Sequence, residues 1–473
     1  MFTFNLIKFS KEYRKFIKIG LPILGSQLVM YGMTTVDYIM AGWYREDFTD
    51  GAGVGLAAAI YSPIYFLTAG AMFAVAPIIA QHFGAKEFEQ IKIKTRKFLW
   101  TGLFVGFIFY LILSNAGKII FDFLEIFAKE FNFEDLFFAE DIKTISLGYL
   151  DIVAFAAIPI TLFQVFRGYS EGITQTRIVF ILGLLGFLIN IPLNYYFIFE
   201  LDMGGIGCAY ATAIVSWLGL ITLWLLTLFL KQYKTIRIYG NFIWPDFRSS
   251  FELLKLGIPI SFGIFVELSM FSGAALVMYF FGKDAVGAHT IAINLVGLLF
   301  MLPLSLGLAS AIRVGNLIGE KNYSQANYAS NFSLRFSLIV AITNFILIIS
   351  MGSLLISIYT SDPNVSVVAL TLLAYAAIFQ VPDAIGYSAI GSLRGHKDTF
   401  GPMVNFIISY WFIAIPIGVY LSFSDSTFLP TEAEGMWTGM IIGIVVSAIL
   451  NTLRLKNRKK DLKRFFKSGT NQI

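Results

Sequence analysis

The sequence predicts an all-α polytopic membrane protein: 12 transmembrane helices in two six-helix lobes related by a pseudo-two-fold axis along the membrane normal. Three observations carry that expectation. The 473 residues are 57% hydrophobic and only 14% charged, with mean hydropathy +0.73, whereas soluble domains carry nearly twice that charge. Twelve apolar runs each supply the roughly 20 residues that a bilayer-spanning helix needs. Basic residues collect in alternate connections between those runs, as the positive-inside rule requires. The loops and tails that remain include no stretch long enough for a separate soluble domain.

In chain order the predicted spans are 16–41, 54–80, 98–117, 144–166, 178–199, 205–230, 256–281, 287–312, 332–357, 366–390, 401–422 and 436–454. The opening MFTFNLIKFSKEYRKFIK lacks a small-residue cleavage pattern, so the first span is expected to be retained. With a cytoplasmic N-terminus, the inner segments, together with Arg335 and Arg454 at the inner ends of spans 9 and 12, hold 29 of the 35 Lys and Arg. The outer loops hold Arg45, Lys118, Lys129, Lys143 and Lys283, and Lys18 sits at the edge of span 1. Acids sort the other way, 17 of 30 falling in outer loops that include FNFEDLFFAEDIK. Both termini are therefore expected in the cytoplasm, in a bacterial inner membrane. The formal charge of +5 reads as an orientation signal and calls for no nucleic-acid partner. One cysteine, Cys208, lies in an apolar run and leaves no intramolecular disulfide to form.

An internal duplication fixes the architecture. KIGLPI (18–23) matches KLGIPI (255–260) at an offset of 237. AQHFGAKEFEQ (80–90) matches GNLIGEKNYSQ (315–325) at 235, and residues 159–176 match 382–399 at 223. Six spans per copy is an even number, so both copies share one orientation, and a parallel repeat places the substrate cavity between halves near the midplane. The expected domains are an N-terminal lobe at 1–230, a cytoplasmic linker at 231–253, and a C-terminal lobe at 254–473 with a basic tail.

Four acids fall within spans: Asp37, Asp151, Glu267 and Asp383. A buried Asp costs about 2.5 to 3.5 kcal/mol on insertion scales, so each needs a partner or a purpose. Asp37 shares a helix face with Thr34. Glu267 lies deep in span 7, and Asp383 follows Pro382, whose ring removes a backbone donor and frees a carbonyl. Carboxylates beside free carbonyls suit a hard cation such as Na⁺, by analogy with oxygen-preferring ions. In the repeat register Met30 stands opposite Glu267 and Ile160 opposite Asp383, so that acid pair belongs to one half only. Asp151 lies nearer the outer end of span 4, within reach of interfacial water. Asn190 and Asn194 are four residues apart, with Pro192 between them, and project to one side of span 5. With Asp37 and Thr212 they form a second candidate cluster, unless the amides simply glue helices together.

His82 and His396 fall in predicted cytoplasmic loops and His289 near an outer helix end, all as surface residues that form no metal site. No cofactor is expected. Without a Walker A motif or nucleotide-binding domain, transport is expected to run on an ion gradient. The 48 Phe and 13 Met could line an adaptable cavity for flat apolar compounds or simply face lipid.

Several segments carry a resemblance to a known family. VDYIMAGWY, VAPIIAQHFGAK, NIPLNYYF, GGIGCAYATAIV, FVELSMF, AIRVGNLIGE and QVPDAIGYSAIGSLRGHKD together resemble the NorM-type branch of the multidrug and toxin extrusion (MATE) family, in order and spacing through all 12 spans. The resemblance implies a monomeric exporter of small organic cations in the lipid bilayer, with antibiotic resistance as its consequence. It implies exchange for inward Na⁺ or H⁺ by alternating access. It also implies a coupling-cation and substrate site at Glu267 and Asp383, and an ion or proton site at Asp37, Asn190, Asn194 and Thr212. The competing expectation is a flippase for lipid-linked oligosaccharide or polysaccharide precursors, whose pyrophosphate substrates call for several Arg or Lys in the cavity. The spans as drawn place acids at depth and Lys18 at an edge. An embedded enzyme would need a nucleophile and base on facing helices, and no such constellation is present.

Overall fold

The computed structural model describes residues 6–46, 48–130, 140–238, 240, 242–360, 362–424 and 428–469, and its side chains over the same ranges save 6–8, 124, 125, 127–130 and 461–469. Asp47 and the first nine residues of the acidic segment FNFEDLFFAEDIK thus lie outside the described residues, as does the side chain of Lys129. All regular structure in the described residues is helical. Eleven helices are long and apolar enough to cross a membrane, and a bent pair makes a twelfth.

In order these are α1 (Leu6–Gly42), α2 (Thr49–Leu67) running through a 3₁₀ segment into α3 (Val75–Gly84), and α4 (Phe88–Glu130). The bent pair follows, α5 (Glu140–Ala154) and α6 (Ala157–Gly172), then α7 (Thr176–Tyr195) and α8 (Ile206–Phe229). The second half contains α9 (Phe247–Met278), α10 (Lys283–Gly319), α11 (Tyr323–Ser357) and α12 (Pro363–Gly395). The last crossings are α13 (Phe400–Phe406), continued by a π segment into α14 (Ile415–Ser422), and α15 (Glu432–Gly469).

Every predicted span lies on one of these crossings, and the helices outrun the apolar stretches that revealed them. Hydropathy marks the part of a helix in hydrocarbon, whereas wetted polar residues can extend the same helix beyond it. Hence α12 continues past 390 to include Arg394, and α6 continues past 166 to include Arg167 and Glu171. The 51° bend between α5 and α6 has a local cause. Pro159 cannot donate to the carbonyl of Phe155, and its ring crowds that carbonyl.

The repeat registers reappear in the backbone. Lys86 and Lys321, matched at offset 235, both end a helix with positive φ, at 60° and 56°. Thr174 and Lys397, matched at 223, do the same at 65° and 58°. Equivalent residues thus make the same left-handed turn in each half.

The chain folds as two compact units, one of residues 1–24, 80–86 and 262–473, the other of residues 25–79 and 87–261. The boundaries differ from a simple division at the 231–253 linker. In the first unit, Glu12 pairs with Arg313 at 2.8 Å and Phe16 packs on Phe332 at 4.9 Å, which ties the start of α1 to α10 and α11. In the second, Tyr169 donates to the Ile236 carbonyl at 2.7 Å, and Lys97 pairs with Asp246 at 2.8 Å, so the linker belongs to that unit. Each has its own apolar core, around Phe379, Met440 and Trp437 in the first and around Phe109, Leu150 and Ile198 in the second.

Candidate functional site

In the second unit the four predicted polar residues converge. Asp37 on α1 is 3% exposed. Asn194 Nδ2 donates to its Oδ1 at 2.6 Å, and Thr212 Oγ1 on α8 donates to its Oδ2 at 3.0 Å. Asn194 Nδ2 also donates to Asn190 Oδ1 at 3.1 Å, the contact that four-residue spacing on α7 permits. Cys208 adds its Sγ, donating to the Asp37 carbonyl at 3.3 Å. Two buried polar atoms of this cluster have no hydrogen-bond partner, Asn194 Oδ1 and Asn190 Nδ2. Directly beyond Asn194 the helix widens into a π turn over Tyr196–Glu200, a feature that recurs at functional sites.

The first unit brings Glu267 and Asp383 together on α9 and α12, 7% and 8% exposed. The two carboxylates lie within electrostatic range of each other. Tyr387 donates its hydroxyl to Glu267 Oε2. One turn after Asp383, it is the residue that a helix must place beside it. Tyr410 lies within range of both acids. A narrow crevice lined by Asp383, Gly386, Tyr387, Phe406, Tyr410 and Ser447 borders Asp383. Tyr410 sits in the π segment Ile407–Ala414, so a widened turn borders each acid cluster. Helix α12 runs through Pro382 without interruption.

The sequence reading missed Tyr387, Tyr410 and Cys208. The Asp383 spacing could have revealed Tyr387, whereas Tyr410 is brought in only by tertiary packing. Asp151 is exposed on α5 and touches neither cluster. Two expectations need correction. His289 is not a surface residue but 4% exposed, its Nδ1 accepting from Trp437 Nε1 at 3.2 Å, and His396 is half-buried with its Nε2 enclosed; α15 covers the helix end that hydropathy alone leaves open at His289. Nor are the buried charges only acidic. Arg167 and Arg394 are 7% and 8% exposed, because α6 and α12 are longer than their apolar runs.

Both clusters are built of hard oxygen donors, which suit a proton or an alkali cation rather than a soft metal. Around the carboxylate pair lie aromatic faces. Phe300 meets Tyr387 edge-on at 4.7 Å, and Phe406 stacks on Tyr410 at 5.0 Å. Negative charge beside aromatic rings is the chemistry that attracts organic cations.

The MatE family model matches residues 22–196 and 259–420. The multidrug resistance protein NorM of Aliivibrio fischeri is 34% identical over 452 residues, covering 95% of both chains. NorM of Photobacterium profundum is 34% identical over 452 residues, covering 95% of this chain and 96% of its own. A crystal structure of a MATE protein in the bent conformation superposes with TM-score 0.85 over 96% of this chain and 97% of its own, at 19% identity, a likeness of fold. The full-length relationship to the NorM proteins and the two matched segments of the family model show that this chain belongs to the MatE family of multidrug and toxin extrusion transporters, in its NorM-type branch.

Proposed function

We propose that the protein exports cationic, amphiphilic drugs and toxins across a bacterial inner membrane in exchange for inward Na⁺ or H⁺, working as a monomer with both termini cytoplasmic. The observation that carries this reading is the Glu267 and Asp383 pair, buried, within electrostatic range of each other and bordered at Asp383 by an aromatic-lined crevice. Two adjacent carboxylates in low dielectric repel one another, so the empty site favours uptake of a positive charge. An organic cation and a coupling cation would compete for that charge, and competition makes exchange obligatory. Entry of Na⁺ or a proton from outside would weaken attraction for the drug and release it outward. The Asp37 cluster supplies a second site, where Asp37 and the unpartnered Oδ1 of Asn194 offer oxygen ligands. The flippase reading is disfavoured, since the relatives are named for multidrug resistance and Arg167 is neutralised by Glu171 at 2.7 Å.

Ethidium efflux from proteoliposomes under separately imposed Na⁺ and pH gradients tests the reading and identifies the ion. Efflux should follow at least one gradient, and Asp383→Asn should abolish it without loss of protein. Efflux indifferent to both gradients would refute cation coupling.

A further inference from the structure

We propose that Arg394 is a fixed positive charge belonging to the Glu267 and Asp383 site, set there so that a single monovalent cation completes its neutrality. The inference rests on reading that acid pair as the coupling-cation site.

Arg394 is 8% exposed, and its guanidinium makes no ion pair or hydrogen bond among the described residues. Elsewhere in the same unit a buried acid answers Arg313, whose Nε donates to Glu12 at 2.8 Å. An unpaired buried charge is costly, so some compensating charge is required. Helix geometry indicates which. Asp383, Tyr387 and Arg394 fall at positions 0, 4 and 11 on α12, one face of a helix with 3.6 residues per turn. The groups that act electrostatically on Arg394 are Tyr387 and Glu267, and Arg394 in turn acts on Glu267.

The repeat shows that this is a departure from a local solution the chain already uses. At the 223 offset Arg167 stands opposite Ile390 and Glu171 opposite Arg394. In α6 the arginine is paired one turn along its own helix, Arg167 Nε to Glu171 Oε1 at 2.7 Å, and Arg167 also donates to Gln27 Oε1 at 3.0 Å. In α12 the position one turn before Arg394 is Ile390, 1% exposed and apolar. The charge that α6 cancels internally is left uncancelled in α12, in the half that holds the extra acid pair. Two ionised carboxylates and one guanidinium sum to a net charge of −1. One Na⁺ neutralises that cluster, whereas without the arginine it would sit at −2 and hold its cation too tightly to release.

Equilibrium Na⁺ binding to purified protein at fixed pH tests this, using wild type, Arg394→Gln, Arg394→Lys and Asp383→Asn. Wild type should bind Na⁺, and Asp383→Asn should lose that binding. Removing a like charge within electrostatic range of the site should tighten Na⁺ binding about tenfold in Arg394→Gln, while Arg394→Lys stays near wild type. Ile390→Glu, which gives Arg394 the partner that Arg167 has, should also tighten binding and serves if Arg394→Gln does not fold. An unchanged affinity in the folded charge-neutralising variant, with Asp383→Asn inactive, overturns the role of Arg394 and leaves the cation site standing. Wild type that binds no Na⁺ overturns this inference, and removes the site reading as well if efflux follows neither gradient; Asp383→Asn that binds Na⁺ normally removes both.

Discussion

Gly84 and Gly319, equivalent in the repeat, each rest against backbone from the other's segment. A Cβ on Gly84 would stand 1.9 Å from the Asn316 carbonyl oxygen, and one on Gly319 would stand 1.8 Å from that of Gln81. Gln81 and Asn316 are themselves equivalent at the same offset of 235, so the contact is self-complementary in the manner of a two-fold interface.

Backbone cannot rotate away as a side chain can, so either Gly→Ala substitution must part these helix ends. Overpacking typically costs 1 to 3 kcal/mol. We expect Gly84→Ala and Gly319→Ala each to lower the thermal midpoint in detergent and to impair efflux. Gly273→Ala, with nothing within 4 Å of its added carbon, is the control and should be neutral or slightly stabilising. Equal midpoints for all three proteins would show that the seam yields freely.

Asp37→Asn keeps the size of the side chain and removes its charge. The Asn194 and Thr212 donors, at 2.6 and 3.0 Å, then face a neutral amide, losing charge-assisted bonds of roughly twice ordinary strength. Ethidium efflux in cells should fall to the level of vector-bearing cells at normal protein abundance. Transport at the wild-type rate would return Asp37 to a helix-packing role.

The crossings and both acid clusters were legible in the sequence because each rests on a local pattern. Hydropathy runs mark hydrocarbon, a carboxylate in such a run announces itself, and the four-residue spacing of Asn190 and Asn194 needs only helix geometry. What the pattern could not supply depends on tertiary contact. His289 looked exposed until α15 covered it, and Tyr410 comes from a different crossing than the acids it neighbours. Arg167, Glu171 and Arg394 were assigned to loops because charge ends a hydropathy window without ending a helix. The grouping of residues 1–24 with the second half of the chain was equally invisible, since it depends on contacts such as Glu12 with Arg313.

Tyr387→Phe removes the hydroxyl that Glu267 accepts from and leaves the ring against Phe300. A hydrogen bond to a charged group contributes about 1.5 to 3 kcal/mol, so the bond should show as a change of tenfold or more in cation affinity. If the hydroxyl is a ligand, the half-saturating concentration of the driving cation rises. If it merely competes with the cation for Glu267, that concentration falls. No change in either direction would mean that the contact is irrelevant to coupling.

His396, just past the end of α12, provides a pH test outside the membrane-spanning segments. Burial, helped by the nearby Lys459 and Arg458 and opposed by Asp398, pushes its pKa down to about 4 from an ordinary 6.5. The unfolded chain therefore takes up a proton in the interval between those values while the folded chain does not. Stability from this group is fully present above pH 6.5 and declines as pH falls towards 4. Burial would raise the Asp398 carboxyl, but hydrogen bonds from Arg454 and Arg458 outweigh it and hold the group below its usual range. That clamp contributes stability above the ordinary carboxylate value and is lost only in stronger acid, so it adds no slope between pH 5 and 7. Thermal midpoints at pH 7.5, 6 and 5 should fall less steeply for His396→Gln than for wild type, whereas Asp398→Asn should be destabilised by a similar amount at all three. Parallel pH profiles for wild type and His396→Gln would place the acid sensitivity elsewhere in the chain.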